Sequence, residues 1–544
     1  MRAAYHSAVL RWPYHAEALI IGDGRVYHDA ARRILHGNPW GVPVSYQDPL
    51  YPALLALMVR LTASDLAGPL IVQHTLGLAS AALAWVIARR MAGPLAGLVA
   101  AAFAALSPVA IYYEGLIEKS TPGIFIFALA VWFLASGLGQ GRAGRIAGAG
   151  AALALVSLLR GNALLVLPVA SLAILLTYPR ALPAGRGILA LVIGVAVVFI
   201  PAMARNRMIS GSWALTAGQG GANFWVGNNP GNATGTFRPP PFLRADPALE
   251  EIDWRVEAER RTSGSLSRDE VSRFWFREGL RFWKDQPWAA LWNTLRKARW
   301  YFSAYELPDT QAYPFFRDHF RILRLPLPGM GPIVALALAG MLFSLAAWRA
   351  RSAEFWLFVG YATSVILFFV LGRYRVVALS LFAAFAGVAI ATLADWVRRR
   401  EMRKLAGAAA VLVIAFGVAY RARPRERYVF PRLNIALALW QEGRLEEAER
   451  FTREGLVINP RDVPSLELLG EIALERGDLS EANRALMKAI FIDPTRQSLQ
   501  FAVIRLLERQ GRKQQAVDLL RLMLRKDPFN ETVRKELRAL GSGP

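Results

Sequence analysis

Long apolar runs separated by short polar stretches dominate the pattern of this chain. Ten runs approach the roughly 17–25 residues that a helix needs to cross a bilayer. They lie near 67–88, 94–111, 121–137, 145–159, 161–178, 187–204, 329–349, 354–371, 375–396 and 405–420. The shorter apolar stretch 49–62, PLYPALLALMVRLT, is typical of a helix lying in the membrane interface. The pattern predicts an all-α, polytopic membrane bundle.

A long polar and aromatic segment, 205–327, separates the first six runs from the last four. From about 246 to 303 its pattern becomes helical and amphipathic, which favours interfacial helices. The Gly- and Asn-rich stretch TAGQGGANFWVGNNPGNATGTF predicts tight turns. Aromatic faces beside amide side chains also hold sugars, so Asn228 and Asn229 are candidate substrate contacts. Membrane anchoring and core packing are the alternative roles for the tryptophans of this segment.

The C-terminal tail is an internal repeat. Three sets of small or turn-forming residues recur at intervals of 34 residues: Gly443, Gly477 and Gly511; Ala448, Ala482 and Ala516; Pro460, Pro494 and Pro528. This period and these residue types resemble the tetratricopeptide repeat, in which pairs of helices stack into a solenoid. We expect a repeat domain over 428–544 that serves either as a structural handle or as a binding surface for a protein partner.

Composition agrees with a membrane protein. Hydrophobic residues make up 54% of the 544-residue chain, charged residues only 19%, and the mean hydropathy is +0.29. The formal net charge is +23, but Lys and Arg collect at the ends of apolar runs, which favours membrane loops over nucleic-acid binding. The chain has no cysteine, which excludes disulfides, zinc–thiolate sites and thiol catalysis.

The distribution of basic residues predicts the orientation of the bundle. Loops on one side hold Arg89, Arg90, Arg142, Arg145, Arg180, Arg186, Arg349, Arg351 and the cluster at 398–404. By the positive-inside rule this side is the cytoplasm. The other side is then the extracytoplasmic side, which faces the periplasm in a bacterial inner membrane. It receives the first loop, 112–120, 205–327, the GRYR turn at 372–375 and the tail. No apolar run precedes the first loop, so we expect a transmembrane helix upstream of residue 1.

The chain accordingly divides into five predicted segments. They are a first extracytoplasmic loop with an interfacial helix (1–66), transmembrane helices (67–204), a large extracytoplasmic loop (205–327), further transmembrane helices (328–421) and the extracytoplasmic repeat domain (428–544).

Ionisable residues gather on the predicted extracytoplasmic side, mostly at helix ends. The acids are Asp23, Asp48, Glu114 and Glu118, and the cations are Arg160, Arg205, Arg373 and Arg375, with Tyr27, Asn206 and Tyr374 beside them. Such groups are costly at membrane depth unless they are paired or hydrated. Their convergence suggests a site where one reactant loses a proton and a phosphate leaves the other.

Simpler roles are open for several of these residues. Asp23 could cap the helix over 26–36, and Glu114 and Glu118 could share one helix face with Lys119. Arg160 could be a snorkelling anchor, and Tyr374 an aromatic residue of the membrane interface.

The motifs GDGRVYHDAARRILHGNP, YQDPLYPALLALMVRL, ARNRMISGSWALTAGQGGANFWVGNNPGNATG and GRYRV resemble those of GT-C membrane glycosyltransferases. The branch in question uses polyprenyl-phosphate sugars and is related to protein O-mannosyltransferases and aminoarabinose transferases. The resemblance covers roughly 15–400. It implies that Asp23 is the catalytic acid of the first loop, acting as general base on the acceptor hydroxyl, with Tyr27 and Asn206 near the substrate.

The resulting expectation is an inverting glycosyltransferase that moves a sugar from a polyprenyl-phosphate donor to a glycan, lipid or protein acceptor. A carboxylate would deprotonate the acceptor, and Arg160, Arg205, Arg373, Tyr374 and Arg375 would hold the donor phosphate. No organic cofactor is expected. A divalent metal is possible, with Asp48, Glu114 and Glu118 as the available acids. The alternatives are an oligosaccharide ligase or polymerase, a transporter, and a non-catalytic membrane scaffold that presents the repeats.

Overall fold

The computed structural model describes residues 1–20, 22–38, 48, 50–178, 180–211, 213, 215, 218–232, 234–240, 242–243, 249–348, 351–421, 428–526 and 531–541. Within these residues the chain consists of helices, with one isolated β-bridge between Thr236 and Val370 and no β-strand. The predicted all-α class is confirmed. The chain divides into two compact units, one of residues 1–15 and 22–424 and the other of residues 16–21 and 425–544.

The helices up to residue 210 are, in chain order, α1 (Arg2–Arg11), α2 (His15–Leu19), α3 (Asp23–Leu35), α4 (Leu50–Thr62), α5 (Ala67–Leu106), α6 (Pro108–Glu114), α7 (Ser120–Gln140), α8 (Ala143–Leu159), α9 (Val166–Thr177) and α10 (Ala181–Ser210). Those from 211 to 327 are α11 (Gly220–Gly227), α12 (Glu250–Thr262), α13 (Arg268–Asp285), α14 (Pro287–Tyr301) and α15 (Tyr313–His319). Between residues 328 and 421 the helices are α16 (Met330–Phe343), α17 (Ser352–Ile366), α18 (Gly372–Arg375), α19 (Leu379–Arg398) and α20 (Met402–Tyr420). All of these helices belong to the first unit except α2, most of which belongs to the second.

Five helices within the described residues are long and apolar enough to cross a membrane. They are α5, α7, α10, the continuous stretch of α18 and α19, and α20. Shorter apolar helices accompany them, among them α4, α8 and α16. A kink at Ala92 and Gly93, just before Pro94, divides α5 into two arms, and it falls in the gap between the first two apolar runs. The protein is therefore an integral, multi-pass membrane protein, and the number of ten crossings stays a prediction.

The segment after α10 forms helices where the amphipathic pattern predicted them. Ser267 and Glu270 close a capping box at the start of α13, which fixes where that helix begins. Trp254 and Trp275 are buried in an aromatic core, whereas Trp288 and Trp292 on α14 are 75% and 62% exposed. Core packing is thus the role of the first pair. Trp288 and Trp292 are exposed, as interfacial anchors would be, and their role as membrane anchors stays a prediction.

The second unit contains a succession of helices of similar length. They are α21 (Phe430–Gln441), α22 (Leu445–Ile458), α23 (Val463–Arg476), α24 (Leu479–Ile492), α25 (Gln497–Arg509), α26 (Lys513–Lys526) and α27 (Glu531–Ala539). The repeated glycines Gly443, Gly477 and Gly511 have φ of 76°, 79° and 72°, a left-handed conformation that favours glycine at the turns between paired helices. The repeated alanines Ala448, Ala482 and Ala516 are fully buried. The 34-residue period therefore marks equivalent turns and equivalent helix contacts.

Several helix ends of the first unit meet at one end of the bundle. Ser120 begins α7, Arg160 directly follows α8, and Arg373 lies at the start of α18. Ser120 accepts a hydrogen bond from Arg160 and donates one to the carbonyl of Arg373. At the far end of α17, Arg351 instead donates to the carbonyl of Met91 at the α5 kink. The candidate site is built where the first set of helix ends converges.

Candidate functional site

An arginine joins two carboxylates from distant parts of the chain. Arg373 Nη1 lies 2.5 Å from Asp23 Oδ2, and Arg373 Nη2 lies 2.6 Å from Asp309 Oδ2. All three side chains are less than a fifth exposed. The three segments that meet here are the N-terminus of α3, the stretch between α14 and α15, and the start of α18. Asp23 also gains from its place in the first turn of α3, where the helix dipole favours negative charge.

The backbone before Asp23 is fixed by a close approach. Gly22 has φ of 53°, and a Cβ at this position would lie 2.5 Å from Cγ2 of Thr310. Any side chain larger than hydrogen would push apart Asp23 and the segment that carries Asp309. This local geometry explains how a first-loop acid and an acid nearly 300 residues later reach the same guanidinium.

A second arginine lies beside the first and keeps unused donors. Arg160 is 2% exposed, and its Nη2 donates to Ser120 Oγ at 2.9 Å and lies 3.9 Å from Glu118 Oε2. Its guanidinium lies 4.6 Å from the ring centroid of Tyr374. Within the described residues, Nε and Nη1 of Arg160 are buried and have no hydrogen-bond partner. Because buried donors are normally paired, these two nitrogens indicate a place for an acceptor that the described residues do not supply.

Burial raises the pKa of the Glu118 carboxyl above its ordinary value, and the Arg160 and Arg373 guanidiniums oppose part of that rise. Glu118 is therefore a weak counterion for Arg160. Its Oε1 is committed to the backbone N–H of Ser120 at 3.1 Å. The positive charge of Arg160 is thus only partly compensated.

A third ionic contact completes this end of the bundle. Lys119 Nζ donates to Asp48 Oδ2 at 2.6 Å, and both residues are buried. The same ammonium lies 5.8 Å from the ring centroid of Tyr27, which packs edge-on against Tyr51 at 5.1 Å. Burial, and next the Asp23 carboxylate, raise the pKa of the Tyr27 phenol, so it stays protonated. Asp48 directly precedes the PLYP motif, and the first residue of that motif, Pro49, lies outside the described residues.

A cavity of about 720 Å³ opens against these groups. Its polar inner lining comprises Asp48, Lys119, Arg160, Asn162 and Tyr374, and its apolar lining comprises Leu164, Leu165, Val365, Phe368 and Phe369. The helices α11 and α13 complete it with Gln219, Gly220, Gly221, Asn223, Glu270, Ser272, Arg273, Phe276 and Arg277. An apolar wall beside a cationic group is suited to an amphipathic anion. Asp23 is outside the lining residues and connects to them through Arg373 and the adjacent Tyr374.

Two of the predicted site residues lie in separate buried networks. Arg2 binds Glu114 through two hydrogen bonds of 2.7 Å, and His74 Nδ1 lies 3.0 Å from the same carboxylate. Arg375 pairs with Glu306 at 2.5 Å and also donates to backbone carbonyls at 303 and 305. These contacts favour a structural role for Glu114 and Arg375, because both carboxylate oxygens of Glu114 and both terminal nitrogens of Arg375 have partners inside the protein. Arg375 Nε is buried and has no hydrogen-bond partner within the described residues.

The predicted amide contacts are also occupied. Asn228 Nδ2 donates to the carbonyls of Phe224 and Leu367 at 2.8 Å each, and its Oδ1 accepts from Trp283 and Lys297 at 3.1 Å each. Asn229 Nδ2 donates to two carbonyls of α11, and its Oδ1 accepts from the backbone of Gly231. No polar atom of Asn228 is left for a sugar, so the contacts favour a role in closing the turn after α11.

Arg205 and Asn206 lie near the end of α10, where Arg205 Nη1 donates to Asn206 Oδ1 at 3.1 Å. Neither belongs to the cavity lining. The structure therefore brings Asp48, Arg160 and Tyr374 to the cavity and Asp23 and Arg373 next to it. Donor binding by Arg205 and substrate contact by Asn206 stay predictions.

Two residues with clear structural placement were missed by the sequence reasoning. Asp309 lies in the segment ELPDT, which has no pattern that marks it as a partner of Arg373. Lys297 is fully buried, and its Nζ donates to Asn228 Oδ1 and to the carbonyls of Gly227 and Phe368 at 3.0–3.1 Å. Burial lowers the pKa of the Lys297 ammonium to about 7. For Lys297, the one available signal in the sequence was a lysine within a helix predicted to be amphipathic.

The acids that could have supplied a metal site are engaged with cations. Asp48 contacts Lys119, and Glu114 contacts Arg2 and His74. Across the described part of the chain, no group of three or more His, Asp or Glu side chains is arranged to hold a metal ion.

Comparisons with known proteins give one partial family match and several structural ones. The family model for dolichyl-phosphate-mannose-protein mannosyltransferase matches residues 43–204. This range, less than a third of the chain, includes Asp48, Glu118 and Arg160 but begins after Asp23. No curated protein matches the chain.

Among solved structures, the oligosaccharyltransferase of Archaeoglobus fulgidus in its apo form is 12% identical, with a TM-score of 0.40, over 88% of this chain and 59% of that one. AglB from Archaeoglobus fulgidus, in complex with an inhibitory peptide and a dolichol-phosphate, is 13% identical with a TM-score of 0.40 over the same shares, 88% and 59%. ArnT from Cupriavidus metallidurans bound to undecaprenyl phosphate is 13% identical, with a TM-score of 0.43, over 96% of this chain and 80% of that one. The chain thus spans about 59% of the length of the archaeal enzyme.

Proposed function

We propose that this protein is a GT-C-type membrane glycosyltransferase that moves a sugar from a polyprenyl-phosphate donor to an acceptor hydroxyl or amine. The observation that carries the proposal is the buried guanidinium of Arg160, with two unpartnered nitrogens, at the wall of a partly apolar cavity. A lipid phosphate has the matching chemistry, because its oxygens accept charge-assisted hydrogen bonds and its chain prefers an apolar wall. The mannosyltransferase family match over 43–204 supports the same class.

Charge develops on the phosphate oxygen as the bond to the anomeric carbon breaks. Arg160 is placed to stabilise that charge, since its neighbour Glu118 is a weak counterion with a raised pKa. Donors fixed in advance in a site that excludes water stabilise such charge more than donors in bulk water do. Tyr374 holds the guanidinium plane from one side, 4.6 Å from the ring centroid, so the donors need not reorganise during the reaction.

Asp23 is the proposed general base on the acceptor, as the resemblance implies. Its ion pair with Arg373 opposes proton uptake, because a nearby cation favours the ionised carboxylate. Asp309 offsets this effect: when Asp23 takes the proton, Arg373 keeps a carboxylate partner at 2.6 Å and is not left unpaired. Attack by the activated acceptor on the face opposite the phosphate inverts the anomeric carbon. No organic cofactor enters these steps.

Asp309 is a second candidate for the base. Burial raises its pKa above the ordinary value, and a higher pKa makes a carboxylate a stronger proton acceptor once it is ionised. Variants of each residue distinguish the two assignments. Asp309→Asn would be nearly inactive if Asp309 is the base and only partly impaired if it serves to hold Arg373.

We further propose that the site faces the extracytoplasmic side and that the second unit consists of tetratricopeptide repeats. The orientation rests on the basic residues at the opposite helix ends, among them Arg90 and Arg351. The repeat assignment rests on the 34-residue period together with the left-handed glycines at equivalent turns. The repeats would bind a protein partner or the acceptor, in the periplasm if the membrane is a bacterial inner membrane.

The test is transfer from a panel of radiolabelled undecaprenyl-phosphate sugars in membranes that contain the full-length protein. Wild type should transfer label from one of these donors, Asp23→Asn should reduce the rate by about 10²–10⁴-fold, and expression should be equal. Transfer that requires a pyrophosphate-linked oligosaccharide instead would favour the ligase alternative. Absence of transfer from every donor, with the repeat unit still required for a cellular phenotype, would favour the scaffold.

A further inference from the structure

Basic residues crowd the turn between α19 and α20, at the opposite end of α19 from the candidate site. The sequence DWVRRREMRK, residues 395–404, contains five cations and two acids, and we call it the α19–α20 turn. The helices on both sides belong to apolar stretches long enough to cross a membrane. The turn therefore lies where one of these stretches leaves the bilayer and the next enters it, and the proposed transfer reaction does not use it.

The two acids of the turn pair with two of its five cations. Arg399 Nε lies 3.0 Å from Asp395 Oδ2, and Lys404 Nζ lies 2.5 Å from Glu401 Oε2. The other three cations are exposed, and their side chains make no hydrogen bond or ion pair with the rest of the described chain: Arg398, Arg400 and Arg403. The turn thus keeps three positive charges that its own acids do not neutralise.

The neighbouring loops do not supply the missing negative charge. At this end of the bundle the stretches 88–94, 140–146, 177–187 and 343–354 contain one further acid, Glu354. Glu354 is 2% exposed, and its Oε1 lies 3.8 Å from Arg90 Nε. A carboxylate enclosed within the bundle beside another arginine is not available to exposed guanidiniums.

The backbone of the turn favours a different residue from the one it contains. Arg400 has φ of 56°, a left-handed conformation that is strained for an L side chain and free of strain for glycine. The turn is closed by backbone bonds, in which Arg400 N–H donates to the Val397 carbonyl at 3.1 Å and Glu401 N–H to the Trp396 carbonyl at 3.0 Å. These bonds need no side chain at position 400. The arginine therefore indicates a role outside the folding of the turn.

Exposed apolar side chains adjoin the three arginines. Val397 is 61% exposed and Met402 is 70% exposed. Trp396 packs against Phe343, with ring centroids 5.1 Å apart, and the Lys404 ammonium lies 6.0 Å from the Trp396 ring centroid. A tryptophan at the end of a span is typical of the boundary between headgroups and acyl chains. Cations beside exposed apolar groups suit a ligand that has both an anionic headgroup and acyl chains.

We propose that the α19–α20 turn binds the headgroup of an anionic phospholipid through Arg398, Arg400 and Arg403. Guanidiniums donate charge-assisted hydrogen bonds to phosphate oxygens, and the net negative charge of the lipid balances the unpaired cations. The acyl chains would lie against the exposed apolar side chains and add contacts to α20, whose buried residues are three alanines. A second copy of the chain is a poor occupant, because two such turns facing each other would repel.

The experiment measures lipid binding to the purified full-length protein in neutral detergent by native mass spectrometry. The probes are dioleoyl phosphatidylglycerol, dioleoyl phosphatidylcholine with the same acyl chains but no net charge, and inorganic phosphate. The test variant carries Arg398→Gln, Arg400→Gln and Arg403→Gln. The matched control loses the same charge from exposed arginines of other loops at this end of the bundle, through Arg142→Gln, Arg180→Gln and Arg186→Gln.

Phosphatidylglycerol should bind wild type and the control variant with equal affinity and the test variant about 10²-fold more weakly. Phosphatidylcholine should bind all three proteins alike and more weakly than phosphatidylglycerol binds wild type. Equal losses in the test and control variants, or equal affinity of the two lipids for wild type, would overturn the site. Inorganic phosphate that binds as tightly as phosphatidylglycerol would assign the turn to free phosphate. A dimer that the test variant loses would assign it to a second copy of the chain.

Arg400→Gly separates lipid binding from folding. Glycine relieves the left-handed backbone, so the melting temperature in neutral detergent should not fall, whereas the affinity for phosphatidylglycerol should fall about fivefold. A lower melting temperature with unchanged affinity would show that Arg400 stabilises the turn itself, and it would contradict a role in binding lipid.

Discussion

Replacing Arg160 by Met removes the guanidinium while keeping an apolar side chain against the ring of Tyr374. The two buried nitrogens without partners, Nε and Nη1, are the ones we assign to the donor phosphate. Hydrogen bonds to charged groups contribute about 1.5–3 kcal/mol each. Loss of two therefore corresponds to about 3–6 kcal/mol, or roughly 10²–10⁴-fold in the dissociation constant.

The same substitution leaves Glu118 without its cation at 3.9 Å. An unpaired buried carboxylate is costly, but burial already raises the pKa of Glu118, so the carboxyl can take a proton instead of remaining charged. We therefore expect the fold to survive, with a melting temperature lowered by a few degrees.

The assay is equilibrium binding of radiolabelled undecaprenyl phosphate to purified protein, read together with thermal melting. Arg160→Lys keeps the charge but loses the planar set of donors, so it should retain part of the affinity. Arg375→Lys is the matched control, because Arg375 is also a buried arginine at this end of the bundle, but both of its terminal nitrogens already donate to Glu306 or to backbone carbonyls. It should lower the melting temperature and leave the affinity of the folded protein unchanged. Binding by Arg160→Met within twofold of wild type would refute the assignment.

Three further predictions follow from the contacts. Asp309→Asn should reduce the rate of transfer by about 10-fold, less than the 10²-fold or more expected for Asp23→Asn. An equal or larger loss would make Asp309 the base. Single-turnover rates in membranes measure the loss in each variant. In the folded protein, burial lowers the pKa of Lys297 to about 7, against 10.5 for the free side chain. Between these pH values the unfolded state binds more protons than the folded state, so this group makes the free energy of unfolding rise with pH. Lys297→Met should remove that rise in melting curves recorded from pH 7 to about 10, and an unchanged slope would contradict the lowered pKa. Glu114→Gln leaves Arg2, whose side chain is only 10% exposed, without its carboxylate, and should lower the melting temperature without changing donor affinity. A selective loss of transfer at unchanged stability would return Glu114 to the active site.

The helices could be predicted from the sequence because their signals are local. Apolar runs and small residues at intervals of 34 positions each depend on a few neighbouring positions. The kink of α5 falls in the gap between two apolar runs, and Gly443, Gly477 and Gly511, which share the 34-residue period, lie at equivalent turns. Such features depend on backbone preference and side-chain periodicity, which one sequence contains in full.

The pairings at the site could not be predicted in the same way. Asp23 and Arg373 are 350 positions apart, and only the tertiary fold brings them together. Asp309 has no local pattern, so its place on Arg373 was missed. Asn228 shows the same limit: a Gly- and Asn-rich stretch is compatible with a sugar site, and only the structure shows that the Asn228 side chain makes four hydrogen bonds within the protein. Residue type indicated the chemistry, and packing decided which polar atoms remain available.

In the proposed reaction, the bond between the sugar and the lipid phosphate is the one that breaks. The most direct measurement uses an undecaprenyl-phosphate sugar that carries tritium in the sugar and ³²P in the phosphate, incubated with membranes that contain the full-length protein. We expect tritium to move to the acceptor and ³²P to remain in undecaprenyl phosphate, and we expect Asp23→Asn to abolish both the transfer of tritium and the release of undecaprenyl phosphate. Movement of ³²P together with tritium would show transfer of a sugar phosphate and would contradict the proposed function.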